Sequence, residues 1–134
     1  MSTALVMALF LFIWPFSSSK EYHMKGGDSV PAASGTVKAQ ANSENGNTKL
    51  DIKVQNLARP SSLNPSENVY IVWIRSNDGN TEKKGAIGLN KNLDGQLKVV
   101  TVSKNFDVVI TGEQSPNVTE PTGPEVLHAH VDMG

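Results

Sequence analysis

Apolar residues in this chain recur mostly at every second position, in short runs broken by turn formers. That period belongs to strands rather than helices. The densest run after the N-terminus is Val69–Arg75, VYIVWIR, which is dominated by β-branched and aromatic side chains. Alternation puts Tyr70, Val72 and Ile74 on one face and Val69, Ile71 and Trp73 on the other. Both faces are apolar, so the strand is expected inside a sheet with both sides covered, and Tyr70 and Trp73 are both expected in the core.

The remaining strands are read the same way. Thr36–Ala41 sets Val37, Ala39 and Ala41 against Thr36, Lys38 and Gln40, and Thr48–Leu57 sets Leu50, Ile52 and Val54 against Lys49, Asp51, Lys53 and Gln55. The Asn42–Asn47 turn between them contains Asn45-Gly46 and makes a hairpin with one wet face. After the Asp78-Gly79 turn, Thr81–Leu89 is a weaker strand, where Gly85 and Gly88 suggest a bulge or a close backbone approach. Gln96–Val102 follows the Asp94-Gly95 turn and points Leu97, Val99 and Thr101 inward. Phe106–Thr111 buries Phe106, Val108 and Ile110, with Asp107 outward as surface. A long Pro-containing loop, Gln114–Pro124, precedes Glu125–Val131, which turns Leu127, Ala129 and Val131 inward and His128 and His130 outward. The pattern gives about seven strands and no internal helix. It predicts an all-β, antiparallel β-sandwich, immunoglobulin-like in the broad sense, over residues 35–134, with a closed barrel as the competing architecture.

Two segments precede this domain. Ala4–Phe16 is uncharged and almost wholly apolar. As a helix it would span about 20 Å, short of the ~30 Å hydrocarbon core, so residues 1–19 are read as a signal-peptide-like segment with cleavage before Lys20. No Lys or Arg precedes the run, which leaves a retained short anchor as the other reading. Residues 20–34 contain Gly-Gly, Pro and small residues without periodicity and are read as a linker or mobile arm.

Composition narrows the function classes. A chain of 134 residues holds one domain, and a net charge of -1 gives no electrostatic footprint for nucleic acid or an anionic membrane. The absence of cysteine excludes disulfides, thiolate metal sites and a cysteine nucleophile.

Tyr70-x-x-Trp73, Asp78-Gly79, Gly85-x-x-Gly88, Asp94-Gly95, a strand from Phe106, Thr111-Gly112-Glu113-Gln114-Ser115-Pro116 and Pro121-Thr122-Gly123-Pro124 occur in that order. Together they resemble the C-terminal, extracytoplasmic β-domain of anti-sigma-K factors. The resemblance covers Tyr70 to Leu127 and implies a bacterial, exported all-β module. It does not carry the sigma-regulating activity, because the sigma-binding helical domain and transmembrane helix of such factors have no room before Gly35.

No nucleophile elbow, zinc-protease helix or phosphate-binding glycine loop is present, so no enzyme activity and no cofactor are expected. Glu113 and Glu120 fall in or beside the long loop and read as solvated acids. His128 and His130, two apart on a strand, emerge on one face roughly 6–7 Å apart. With Met133, His23 and Met24 nearby in sequence they form a candidate copper-type ligand set, against the plainer reading of solvated surface histidines. The sequon Asn117-Val118-Thr119 lies in the long loop. The expected function is that of a periplasmic or secreted, non-enzymatic module. It would act through a protein partner or as a structural surface component, with Thr81–Leu89 as its edge strand. The alternatives are a periplasmic metal-binding protein, and a self-assembling surface or filament subunit whose N-terminal segment is retained and buried between protomers; membrane contact is expected only through that segment, if it is uncleaved.

Overall fold

A computed structural model describes residues 19–134. Of the segment read as signal-like, only Ser19 lies within the described residues. Eight antiparallel strands follow one another: β1 (Ser19–Gly26), β2 (Ser34–Ala41), β3 (Thr48–Gln55), β4 (Val69–Ser76), β5 (Thr81–Ile87), β6 (Gly95–Thr101), β7 (Asn105–Glu113) and β8 (Glu125–Asp132). They form one sheet in the order β5-β4-β7-β8-β1-β2-β3-β6, which curls until its two edge strands, β5 and β6, meet and nearly close a barrel.

This departs from the expected seven-stranded sandwich in architecture, since one sheet nearly closes into the competing barrel, and in one added element. The stretch read as a linker contains β1, which pairs with β2 from Ser19↔Gln40 to Lys25↔Ser34 and with β8 at Lys25↔His128 and Gly26↔Leu127. Its alternation is real but short. Met24 is fully buried and Tyr22 half-buried, while Glu21, His23 and Lys25 face solvent. Two inward residues followed by Gly-Gly give too little apolar signal to outweigh the glycines. Farther along, β1 and β8 are joined by side chains: the Tyr22 hydroxyl donates to the Asp132 carbonyl at 2.8 Å and Lys20 Nζ to the same oxygen at 3.3 Å.

The barrel interior takes one face of every strand. Val37, Leu50, Ile52, Val72, Phe106, Val108 and Leu127 belong to one contiguous core. Tyr70 points into it and donates its hydroxyl to the Ala58 carbonyl at 2.6 Å; burial pushes its pKa up to about 12. Leu97, Val99 and Thr101 face inward from β6, as the alternation predicts. The expected bulge is present: the β4–β5 register shifts between Val72 and Trp73, opposite Gly85 with φ 138°.

β4 is covered on both sides. Its outward residues Ile71 and Trp73 are fully buried with Val109 in a second, smaller cluster on the outside of the barrel. Val118, from the β7–β8 loop, packs over them. Trp73 therefore anchors a loop to the sheet rather than presenting a platform. Removing the ring in Trp73→Ala is expected to cost about 3–5 kcal/mol, as for other buried large aromatics. Val102→Thr, at an exposed position, is expected to stay within about 0.5 kcal/mol of the parent. Urea unfolding of the two variants measures both values.

Candidate functional site

Antiparallel barrels that close fully have no edges; this one keeps two. No ladder joins β5 to β6. The seam is bridged by side chains: Lys84 Nζ donates to the Val100 carbonyl at 2.6 Å and pairs with Glu82 at 2.9 Å, and Thr101 Oγ1 donates to Glu82 Oε1 at 3.4 Å. At the other end of the seam Gly95 lies against Gly88, where an added Cβ would sit 2.5 Å from the Gly88 carbonyl. The glycine this approach requires is Gly95; a Cβ on Gly88 itself would meet open space.

The Val100 carbonyl points toward β5, so strand alternation turns the N–H and C=O groups of Gln96 and Lys98 to the same open edge. Beside this edge the outer face of β2, β3 and β6 forms a groove of about 330 Å³ lined by Lys38, Gln40, Lys49, Asp51, Lys98 and Val100. Asp51 stands directly between Lys38 and Lys98 across the strands and accepts from Gln96 Nε2 at 2.7 Å. Val100 and Val102 are the exposed large hydrophobic residues among the described residues, at 46% and 74%. The groove is thus mostly cationic, with an apolar end beside unpaired backbone.

The candidate metal ligands separate into two groups. Met24 is buried inside the barrel. Met133 packs against the same core at the barrel end, its sulfur 3.9 Å from the Tyr22 hydroxyl. The thioethers are therefore not brought to the histidines, because the alternation that sends histidines out sends Met24 in. His128 and His130 face outward as predicted, with His23 exposed on the neighbouring strand. What joins them is Asp107, directly opposite His130 on β7. Its Oδ1 lies 2.7 Å from His130 Nδ1 and 3.5 Å from His128 Nε2. Partial burial pushes the Asp107 pKa up, but the hydrogen bonds and charges of His130 and His128 outweigh this and leave it below the usual value. The long β7–β8 loop hides this register from the sequence; an antiparallel pairing of Phe106–Thr111 with Glu125–Val131 is the signal that could have found it. Among the described residues, no three His, Asp or Glu side chains already stand around a preformed cation site.

Glu113 is not the solvated loop acid that its position suggests. It ends β7, fully buried. Its carboxylate accepts from the Thr111 hydroxyl at 2.6 Å, the Thr122 hydroxyl at 2.5 Å, and the Thr122 and Gly123 amides at 3.1 and 3.2 Å. Thr111 Oγ1 in turn accepts from Trp73 Nε1 at 2.8 Å. Lys83 Nζ donates to the carbonyls of Pro116 and Val118 at 2.5 and 2.9 Å. The loop is clasped to the outer sheet face from both ends. Gly123 permits the closest contact: a Cβ there would lie 1.7 Å from the Gly112 carbonyl. Four donors occupy the Glu113 oxygens, so the carboxylate fastens the loop and has no room for substrate. Burial pushes its pKa up, yet the bonds from Thr111, Thr122 and Gly123 outweigh burial and hold it below the usual glutamate value. Glu120 is exposed, as expected.

No protein-family model matches this chain, and no curated protein matches it.

Two outcomes follow for the clasp. A group with a depressed folded-state pKa contributes stability that is present above its unfolded pKa, here 4.5, and is lost as pH falls through the folded value. The urea midpoint is therefore expected to drop on acidification below that point, and Glu113→Gln is expected to lack part of this drop. At pH 7 the same variant is expected to be less stable by about 1–3 kcal/mol, the range for hydrogen bonds to a charged group. Gly123→Ala, which forces backbone against backbone, is expected to cost a similar amount, roughly 1–3 kcal/mol. Urea titrations at a series of pH values test these together.

Proposed function

We propose that this protein is an exported, non-enzymatic β-domain that binds a protein partner by strand addition at the β6 edge. The observation that supports this best is the seam. Gln96, Lys98 and Val100 direct backbone groups to an edge with no ladder, next to a groove that supplies side-chain contacts. Export rests on the apolar Ala4–Phe16 run. The residues behind the resemblance to anti-sigma-K extracytoplasmic domains, Trp73, Thr111-Gly112-Glu113 and Pro121–Pro124, share one loop clasp on the outer face of β4 and β7, away from the β6 groove. On this reading that motif stabilises the module, and partner choice resides elsewhere.

The chemistry of the groove argues for a partner other than a second copy. Lys98 is the middle residue of β6, so two β6 edges paired antiparallel about their centres would bring Lys98 against Lys98, and facing like charges destabilise a sheet. A segment alternating acidic and apolar residues instead turns its acids outward toward Lys98 and the lysines of the groove, Lys38 and Lys49, and its apolar side chains inward toward Leu97 and Val99. In the unbound protein Lys84 caps the Val100 carbonyl, a common way of guarding an edge.

Eight-residue peptides of alternating Glu and Val, and of alternating Lys and Val, test this by NMR titration of the full chain in detergent micelles. The expected result is amide shifts centred on Gln96, Lys98 and Val100 with the Glu peptide alone. Lys98→Glu is expected to weaken binding by about fivefold or more, as an attractive cross-strand pair worth up to ~1 kcal/mol becomes repulsive. Equal binding of both peptides, or shifts centred away from β6, would overturn the proposal.

A further inference from the structure

The Asp107 cluster lies on a different part of the sheet from the seam. On the outer face of β7 and β8, two imidazoles approach one carboxylate oxygen, and all three side chains reach solvent: His128 is 46% exposed, His130 53% and Asp107 29%. The three are held by rigid strands whose register sets Asp107 directly across from His130 and Val109 across from His128. These groups suit a borderline divalent ion: imidazole binds copper and zinc, and a carboxylate adds charge.

Distances decide how far the cluster is from a coordination shell. With metal–nitrogen and metal–oxygen bonds near 2.0–2.2 Å, donors stand about 3.3 Å apart around a tetrahedral zinc ion and about 2.9 Å apart as neighbours around a tetragonal copper(II) ion. The His130 Nδ1 to Asp107 Oδ1 separation is 2.7 Å, a hydrogen bond, and has to widen only slightly for copper. The His128 Nε2 to Asp107 Oδ1 separation is 3.5 Å, and has to shorten for either ion. Side-chain rotation of exposed residues supplies that movement without moving the strands.

We propose that Asp107, His128 and His130 form a binding site for a divalent transition-metal ion, copper(II) in preference to zinc(II). In this site the metal takes the place of the proton between His130 Nδ1 and Asp107 Oδ1, and that proton leaves to solvent. Water fills the remaining coordination positions. The order of preference follows the general stability series for nitrogen and oxygen ligands. The ligand set differs from the copper-type set read from the sequence, since both methionines are directed to the core and a carboxylate replaces them. Arg75 lies opposite Asp107 and Lys25 opposite His128. Among the described residues neither forms an ion pair with Asp107. Their charges lower the affinity without occupying the ligand atoms.

Calorimetric titration of the full chain in detergent micelles with copper(II) and with zinc(II), at pH 7.5 in a non-coordinating buffer, tests the site. The expected result is one saturable equivalent of each ion, copper binding the tighter. The His128→Ala, His130→Ala double variant is expected to lose it. Asp107→Asn, which keeps the shape and removes the charge, is expected to weaken binding at least about tenfold, the lower range for disturbing even an outer-sphere partner of a metal. Far-ultraviolet circular dichroism of each variant confirms that the barrel persists, and Asp107→Asn supplies the decisive comparison if the double variant fails to fold. Absence of saturable binding by the parent overturns the proposal, as does parent-like binding by Asp107→Asn.

Discussion

Two residue pairs, Lys25 with His128 and Gly26 with Leu127, make this protein one sheet instead of two. Without them the strands would divide into β5-β4-β7-β8 and β1-β2-β3-β6, two four-stranded halves facing each other across the core. The short ladder sits at the tight turn where Gly26 passes beneath Val30, and a Cβ there would lie 2.1 Å from the Val30 carbonyl. On the far side of the molecule, the seam between β5 and β6 has no ladder, and lysine, threonine and glutamate side chains do the joining. The two contacts between the halves therefore differ in kind. One is built of backbone pairing between strands; the other rests on side chains that can let go.

Much of this was legible in the sequence, and the reason is physical. Strand residues with one wet and one dry face announce themselves by alternation, and most of the eight strands do so. β4 announces itself by lacking alternation, because both its faces are covered. The expectation of an all-β antiparallel fold held, but the strands join in one nearly closed sheet rather than two stacked ones. Alternation failed on Lys20–Gly26, where only Tyr22 and Met24 turn inward, too few for a period to be seen.

The sites were less legible because they depend on register. Asp107 has an outward position like any surface aspartate, and only the pairing across a long loop places it under two histidines. Glu113 was misjudged for a related reason. A carboxylate next to a Pro-rich loop is usually solvated, but here the loop folds back and delivers two amides and a hydroxyl to it. Burial without a cation is tolerated because those donors, with the Thr111 hydroxyl, replace water one for one. The Thr-Gly-Glu and Pro-Thr-Gly-Pro segments are two halves of this single contact, ten residues apart at Glu113 and Gly123.

The β1–β8 ladder also orders events in time. β1 is the first strand of the barrel to be synthesised and β8 the last, and Lys25 waits for a partner 103 positions along the chain (128 − 25). Until β8 arrives, β1, β2 and β3 form a meander that β6 can extend, but the outer edge of β1 has no partner. Such contacts between distant parts of a chain make folding slow, and naked edges are where partly made β-proteins stick to one another. A chain threading N-terminus first through a membrane channel would spend its whole transit in that state. The success of its folding is then a matter of how well those edges are kept apart until the final strand is delivered.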